Sequence, residues 1–189
     1  MSEKSKSIDL KKDFNKDERL KKVSKLKILL NRPELGALGG SILVFIFFGI
    51  VAVPGTFYLQ GGELFDSFAI ILGIIMGLMA DCILIVNNIR DADNDIKTGK
   101  NTLTVIFGKK ISKLQYSIFA IIPYLFPFWI FQNMVPKLAI FIVLFSFPIC
   151  IRSIIDIWYK SGKSLNIVLE NTARLQFIYS ILLSFGFII

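Results

Sequence analysis

Long uninterrupted apolar runs alternate along the chain with short polar connections. Five such runs cover 36–59, 64–89, 111–131, 137–159 and 172–189. Each has about twenty residues, the length a helix needs to cross a hydrocarbon core of about 30 Å. None shows the period-two alternation of a barrel strand, and backbone groups in lipid have to bond within their own segment, so the runs predict helices. Pro54, Pro123, Pro127 and Pro148 fall inside the runs, which membrane helices tolerate where neighbours satisfy the freed carbonyls. The expected fold class is all-α: a polytopic membrane protein of about five transmembrane helices, filling 33–189 behind a polar segment at 1–32.

Composition agrees with that pattern. Hydrophobic residues make up 54% of the 189, Phe alone occurs 18 times, and the mean hydropathy is +0.64, beyond the balance of a soluble domain. The first apolar run begins after more than thirty mostly polar residues and shows no cleavage pattern, so no cleavable signal peptide is expected. With no His in the chain, His-based acid–base chemistry and His metal ligation are excluded. Cys82 and Cys150 fall within apolar runs and read as small packing residues rather than a disulfide or a metal site.

Charge sets the expected orientation. The 1–32 segment carries eleven Lys and Arg against five acids, and 88–110 adds Arg90, Lys97, Lys100, Lys109 and Lys110. The connections at 60–63 and 132–136 carry no base. The positive-inside rule then places the N-terminus, the aspartate-rich loop and the 160–171 loop in the cytoplasm of a cell (inner) membrane protein. The bases lie beside membrane spans with no recognition motif, so the net charge of +8 signals topology and a lipid surface, and no nucleic-acid partner is expected. Ile8, Phe14, Leu20, Val23 and Leu26 among the lysines of 1–32 leave two readings, a basic amphipathic surface helix or a disordered tail.

The second run ends in the chain's densest polar cluster, Asn87-Asn88-Ile89-Arg90-Asp91-Ala92-Asp93-Asn94-Asp95-Ile96-Lys97-Thr98-Gly99-Lys100. Asn87, Asp91 and Asp95 are spaced i, i+4, i+8, so a helix continuing beyond the membrane face lines them up on one side while Asp93 points elsewhere. Carboxylates four apart are neighbours and repel when unpaired; they are either solvated or holding a cation. Mg²⁺ takes one or two carboxylates and completes its octahedron with waters and phosphate oxygens, and Arg90, Lys97 and Lys100 are placed to neutralise remaining phosphate charge. Gly99 reads as the helix stop. Two readings stand at this level: a diphosphate site at a membrane surface, or a solvated loop capping two helices. Asp81, about 12 Å inside the membrane from Ile89 at 1.5 Å per residue, is a functional candidate by position; it either extends the polar cavity or is an acid bonded to a neighbouring helix.

The run from Asn87 through Arg90-Asp91, Asp95, Gly99-Lys100 and Thr102-Leu103 resembles the second aspartate-rich motif of the UbiA superfamily of intramembrane prenyltransferases, in its 1,4-dihydroxy-2-naphthoate polyprenyltransferase branch. The first apolar run, Val44-Phe45-Ile46-Phe47-Phe48-Gly49 through Gly55-Thr56-Phe57-Tyr58, and the stretches Leu165-Asn166 and Thr172-Ala173-Arg174-Leu175 resemble the same branch. The resemblance implies Mg²⁺-dependent transfer of a polyprenyl group from polyprenyl diphosphate to 1,4-dihydroxy-2-naphthoate, giving demethylmenaquinone with loss of CO2 and pyrophosphate. Asp91 and Asp95 are the implied metal ligands and catalytic carboxylates; Asn87, Asn88, Arg90, Lys97 and Lys100 are the implied diphosphate or supporting residues. Phe45, Phe47 and Phe48 are candidates to line the prenyl groove or shield a cation.

Family members usually have about nine spans and two aspartate-rich motifs, and the resemblance covers only their C-terminal half. Asn15-Lys16-Asp17 lies in the polar segment, away from a membrane helix end, and does not qualify as the first motif. A second polypeptide or self-association is therefore expected to complete the cavity. The alternatives are a UbiA-type enzyme with another aromatic acceptor, or a truncated, non-catalytic membrane subunit that binds diphosphate.

Overall fold

A computed structural model describes residues 33–133 and 138–189, and every regular element among the described residues is helical. The 1–32 segment, with both of its readings, lies outside the described residues. The first span comprises helix α1 (Pro33–Phe45), a π turn (Ile46–Val51) and helix α2 (Ala52–Leu59). Pro54 removes the donor that would reach the Ile50 carbonyl, and the wide turn sits where that bond is missing. Helix α3 (Ser67–Lys97) follows, then α4 (Leu103–Phe107), α5 (Lys109–Ile121), a 3₁₀ turn (Ile122–Tyr124) and α6 (Phe126–Asn133). A 3₁₀ stretch (Leu138–Ser146), α7 (Phe147–Tyr159), a short 3₁₀ turn (Gly162–Ser164) and α8 (Leu165–Ile188) complete the bundle.

Helix α3 is the axis of the fold, packing against the first span, α5 and α8. Asp66 caps its start: the carboxylate accepts from the amides of Phe68 at 2.9 Å and Ala69 at 3.0 Å, satisfying two donors that open every helix. At 31 residues it is about 46 Å long, so one end must project beyond a 30 Å core. Its last turns are the aspartate-rich cluster. Ile75, Met79, Ile85, Val86 and Ile89 of α3 pack with Tyr116, Tyr179 and others in one buried cluster.

Small residues set how closely the first span approaches α3. A Cβ on Gly73 would lie 2.6 Å from the Gly49 carbonyl oxygen, a Cβ on Gly49 would lie 2.6 Å from the Gly73 carbonyl oxygen, and a Cβ on Gly77 would lie 2.9 Å from the Phe45 carbonyl. The pairs 49/73 and 45/77 step in fours along antiparallel helices, and the next step brings Ser41 to Asp81. This is the small-x-x-x-small geometry by which membrane helices gain close packing where lipid offers no hydrophobic drive to associate.

Elsewhere, hydroxyls join the helices. Pro127 cannot donate to the carbonyl of Pro123, and the Tyr179 hydroxyl donates to it at 2.7 Å. Tyr116 and Thr172 share a hydrogen bond of 2.7 Å, as do Tyr124 and Ser146. The rings of Tyr124 and Tyr179 meet edge to face at 5.4 Å. Both cysteines are free and buried: Cys82 Sγ lies 3.8 Å from the Tyr116 carbonyl and Cys150 Sγ 3.4 Å from that of Ala120. They pack, as their setting predicts.

Among the described residues, four helical segments are long and apolar enough to cross a membrane: Gly39–Leu59, Ser67–Lys97, Lys109–Asn133 and Ile140–Tyr159. The fifth expected span is helical and 24 residues long, but Asn166, Glu170, Asn171, Arg174 and Gln176 occupy its first half, so its apolar part is short. The protein is a multi-pass helical membrane protein.

Candidate diphosphate and metal site

The site is built by the end of α3. The helix stops where Gly99 takes a left-handed conformation (φ 71°) that side chains with a Cβ rarely adopt. The Gly99 amide then donates to the Ile96 carbonyl at 3.2 Å and the Lys100 amide to the Asp95 carbonyl at 2.9 Å, a Schellman closure. It folds the chain back so that Lys100 Nζ lies 3.7 Å from Asp95 Oδ1. Lys100 is also within Coulombic reach of Asp91. Thr102 caps the next helix, accepting from the Val105 amide at 3.3 Å.

The three aspartates have different surroundings. Asp93 points to solvent and pairs with Lys109 at 2.8 Å, apart from the other two. The Arg90 guanidinium grips Asp91 with a fork: Nε donates to Oδ1 and a terminal nitrogen to Oδ2, both at 2.8 Å. Its other terminal nitrogen donates to Asn166 Oδ1 at 2.9 Å, which ties α3 to the start of α8. Asp95 is 5% exposed, and its Oδ2 is buried with no hydrogen-bond partner among the described residues. A buried carboxylate oxygen left open is costly unless something else meets it.

Asn87 opens onto a cavity of about 280 Å³ between the first span, α3 and α8, lined also by Val44, Phe48, Ala80, Ile83, Leu84 and Gln176. Asn88 is half-buried and Lys97 exposed. The cavity lies along the Ala80–Asn87 part of α3, and Asp91 and Asp95 follow Asn87 at about one and two helical turns along the same helix. The structure brings Arg90, Asp91, Asp95 and Lys100 to one end of α3 and sends Asp93 away. Asp81 lies elsewhere: it is 2% exposed, Ser41 is the side chain acting on it, and both Asp81 Oδ1 and Ser41 Oγ are buried without a hydrogen-bond partner of ordinary geometry.

Among the described residues no three acids or cysteines come together as a ready-made metal cage. A Mg²⁺ site does not require one, because that ion keeps several waters and accepts substrate phosphate oxygens. Asp95 with an open buried oxygen and Asp91 four residues away form a donor set of suitable hardness and number. The lone pairs that Arg90 leaves on Asp91 remain available to a cation.

Sequence reasoning did not find Asn166 as the partner of Arg90, nor Gln176 as the polar wall opposite Asn87. Both contacts bridge helices distant in the chain, and no local spacing announces them.

Residues 37–182 match the UbiA prenyltransferase family. The chain is 43% identical over 79 residues to the 1,4-dihydroxy-2-naphthoate octaprenyltransferase of Haemophilus influenzae, covering 42% of this chain and 25% of that protein. It is 31% identical over 143 residues to the UbiA prenyltransferase domain-containing protein 1 homolog of Drosophila melanogaster, covering 76% of this chain and 38% of that protein. The match to the human UbiA prenyltransferase domain-containing protein 1 is 27% over 150 residues, or 79% of this chain and 43% of that protein. The chain thus spans between a quarter and under half the length of these relatives. No solved structure matches it.

Proposed function

The chain belongs to the UbiA prenyltransferase family, and from that premise we propose that it forms the diphosphate-binding half of an aromatic prenyltransferase. The reaction we propose is Mg²⁺-dependent transfer of a polyprenyl group from polyprenyl diphosphate to 1,4-dihydroxy-2-naphthoate, the acceptor in the name of the Haemophilus influenzae relative, as a step of menaquinone synthesis. The observation that carries the reading is the carboxylate pair Asp91 and Asp95, the latter with a buried open oxygen, about one and two helical turns beyond Asn87, the α3 residue at the edge of an apolar cavity.

Asp91 and Asp95 are the residues that would hold Mg²⁺, and when bound the ion supplies Lewis-acid neutralisation of the diphosphate and of the departing pyrophosphate. Lys100, folded back over Asp95 by Gly99, and Lys97 offer ammonium groups to diphosphate oxygens. Arg90 gives three of its five N–H donors to Asp91 and Asn166, so it fixes the Asp91 carboxylate in place and keeps two donors for a diphosphate oxygen. Asn87 and Asn88 present amides where the polar end meets the cleft. The prenyl tail takes the apolar walls at Val44, Phe48, Ile83 and Leu84, where water exclusion protects the developing allylic cation from hydrolysis.

Complementary elements close the cavity, either a second polypeptide that brings the first aspartate-rich motif or a second copy of this chain that brings its own Asp91 and Asp95. The site faces the cytoplasm of the cell membrane, on the charge distribution around the spans. The test is prenyl transfer to 1,4-dihydroxy-2-naphthoate in membranes carrying this chain alone or with a complementary four-span polypeptide. Product that requires the partner supports the split-site reading, and product from the chain alone supports self-association. Diphosphate binding with no product in either arm identifies a non-catalytic subunit.

A further inference from the structure

A second basic site lies on the opposite side of α8 from the aspartate cleft's polar wall. A groove of about 580 Å³ opens between α7 and α8, with Arg152, Asn171 and Arg174 among its walls and Pro148, Ile149 and Ile178 beside them. The two helices are antiparallel neighbours, joined by the turn at Gly162–Ser164. Their connected end is the end that carries the aspartate site, as the contacts of Arg90 with Asn166 and of Lys113 with the Trp158 carbonyl show.

Depth makes the two arginines unusual. Arg152 lies seven residues before Tyr159, about 10 Å from that end, and Arg174 nine residues after Leu165, about 14 Å from it. Both side chains are exposed on a helix surface, and Arg152 lies within the Ile140–Tyr159 span, where an isolated cation is costly and normally faces a partner. Arg174 gives one terminal nitrogen to Glu170 at 2.6 Å and keeps its remaining donors. Arg152 has no ion-pair or hydrogen-bond partner among the described residues. Two guanidiniums against one carboxylate leave the groove net positive, with the Asn171 amide beside them and isoleucine walls running deeper.

We propose that this groove binds the phosphate of an anionic phospholipid from the surrounding leaflet, with Arg152 and Arg174 on the headgroup and an acyl chain along Ile149 and Ile178. The charge calls for an anion, the apolar walls call for attached chains, and the depth places the phosphate where long arginine side chains reach back toward the interface. Arginine suits the role because its planar fork meets phosphate oxygens in pairs. The lipid would hold α7 and α8 together at the end where Asn166 braces Arg90, linking membrane composition to the geometry of the site.

The experiment is thermal unfolding of the full chain in non-ionic detergent, titrated with phosphatidylglycerol, phosphatidylcholine or polyprenyl diphosphate. Phosphatidylglycerol is expected to raise the unfolding temperature saturably and phosphatidylcholine to leave it in place. In the double variant Arg152→Gln, Arg174→Gln the apparent affinity for phosphatidylglycerol should fall at least tenfold, while Arg152→Lys, which keeps the charge and controls for folding, should retain most of it. Equal responses to the two phospholipids, or an unchanged phosphatidylglycerol response in the double variant, would overturn the proposal. So would an arginine-dependent shift produced by polyprenyl diphosphate alone, which would make the groove a substrate entry site. Crosslinking of position 152 to a second polypeptide with no phosphatidylglycerol effect would make it a protein interface and would equally overturn it.

Discussion

Replacing Gly73 by alanine adds a Cβ 2.6 Å from the Gly49 carbonyl oxygen, nearly 1 Å inside the roughly 3.5 Å at which non-bonded heavy atoms sit. The obstructing atom is backbone, so no rotamer change relieves the clash; the first span and α3 have to part. Overpacking of this kind costs about 1–3 kcal/mol, a several-fold to hundredfold loss in the folding equilibrium. Gly55 on the same span supplies the control, since a Cβ there has nothing within 4 Å. Gly55→Ala should be neutral or slightly stabilising, because alanine is the better helix former. The assay is unfolding of the purified chain in mixed micelles by added anionic detergent, followed by circular dichroism. Gly73→Ala should unfold at clearly lower detergent fraction than wild type. Gly49→Ala should resemble it, and the double variant should cost less than the sum, since once the helices part the second methyl meets less resistance. Identical midpoints for Gly73→Ala and Gly55→Ala would refute the seam.

Three further outcomes follow from single contacts. Tyr179→Phe leaves the Pro123 carbonyl without its donor and should destabilise the chain by about 0.5–2 kcal/mol, read as a lowered unfolding midpoint against a Tyr58→Phe control on the exposed surface. Gly99→Ala forces a left-handed residue with a Cβ, costing about 1–2 kcal/mol, although a Cβ there meets nothing within 4 Å; an unchanged unfolding temperature would contradict the helix-stop assignment. Arg90→Lys keeps the charge but loses the fork on Asp91 and the reach to Asn166, and should weaken metal-dependent polyprenyl diphosphate binding by about tenfold on the scale of one charged hydrogen bond, measured by filter binding.

The spans, the continuation of α3 beyond the membrane and the stop at Gly99 were legible because each depends on a local property: run length, helical spacing, or one residue's backbone freedom. The separation of Asp93 from Asp91 and Asp95 was legible for the same reason. What could not be read depends on which helices meet. Glycines at 49, 73 and 77 look like ordinary small residues of apolar runs until antiparallel register brings two carbonyls against them. Arg90 reads from the sequence as a diphosphate or supporting residue; only the approach of Asn166, 76 residues on, shows that it also ties α3 to α8. Asp81 left two readings, and packing turns it toward Ser41 rather than into the Asn87 cleft. The fifth run was read as a span by its apolar C-terminal part, whereas the helix begins at Leu165 and gathers polar residues into its first half.

The most direct test of the central claim is Mg²⁺-dependent binding of polyprenyl diphosphate to the detergent-solubilised chain, comparing wild type with Asp95→Asn, which preserves size and removes the charge. Wild type should bind in Mg²⁺ and lose binding in excess chelator, and Asp95→Asn should fail to bind in Mg²⁺ while keeping the wild-type unfolding profile. Metal-dependent binding that survives in Asp95→Asn would contradict the assignment of the buried carboxylate at the end of α3.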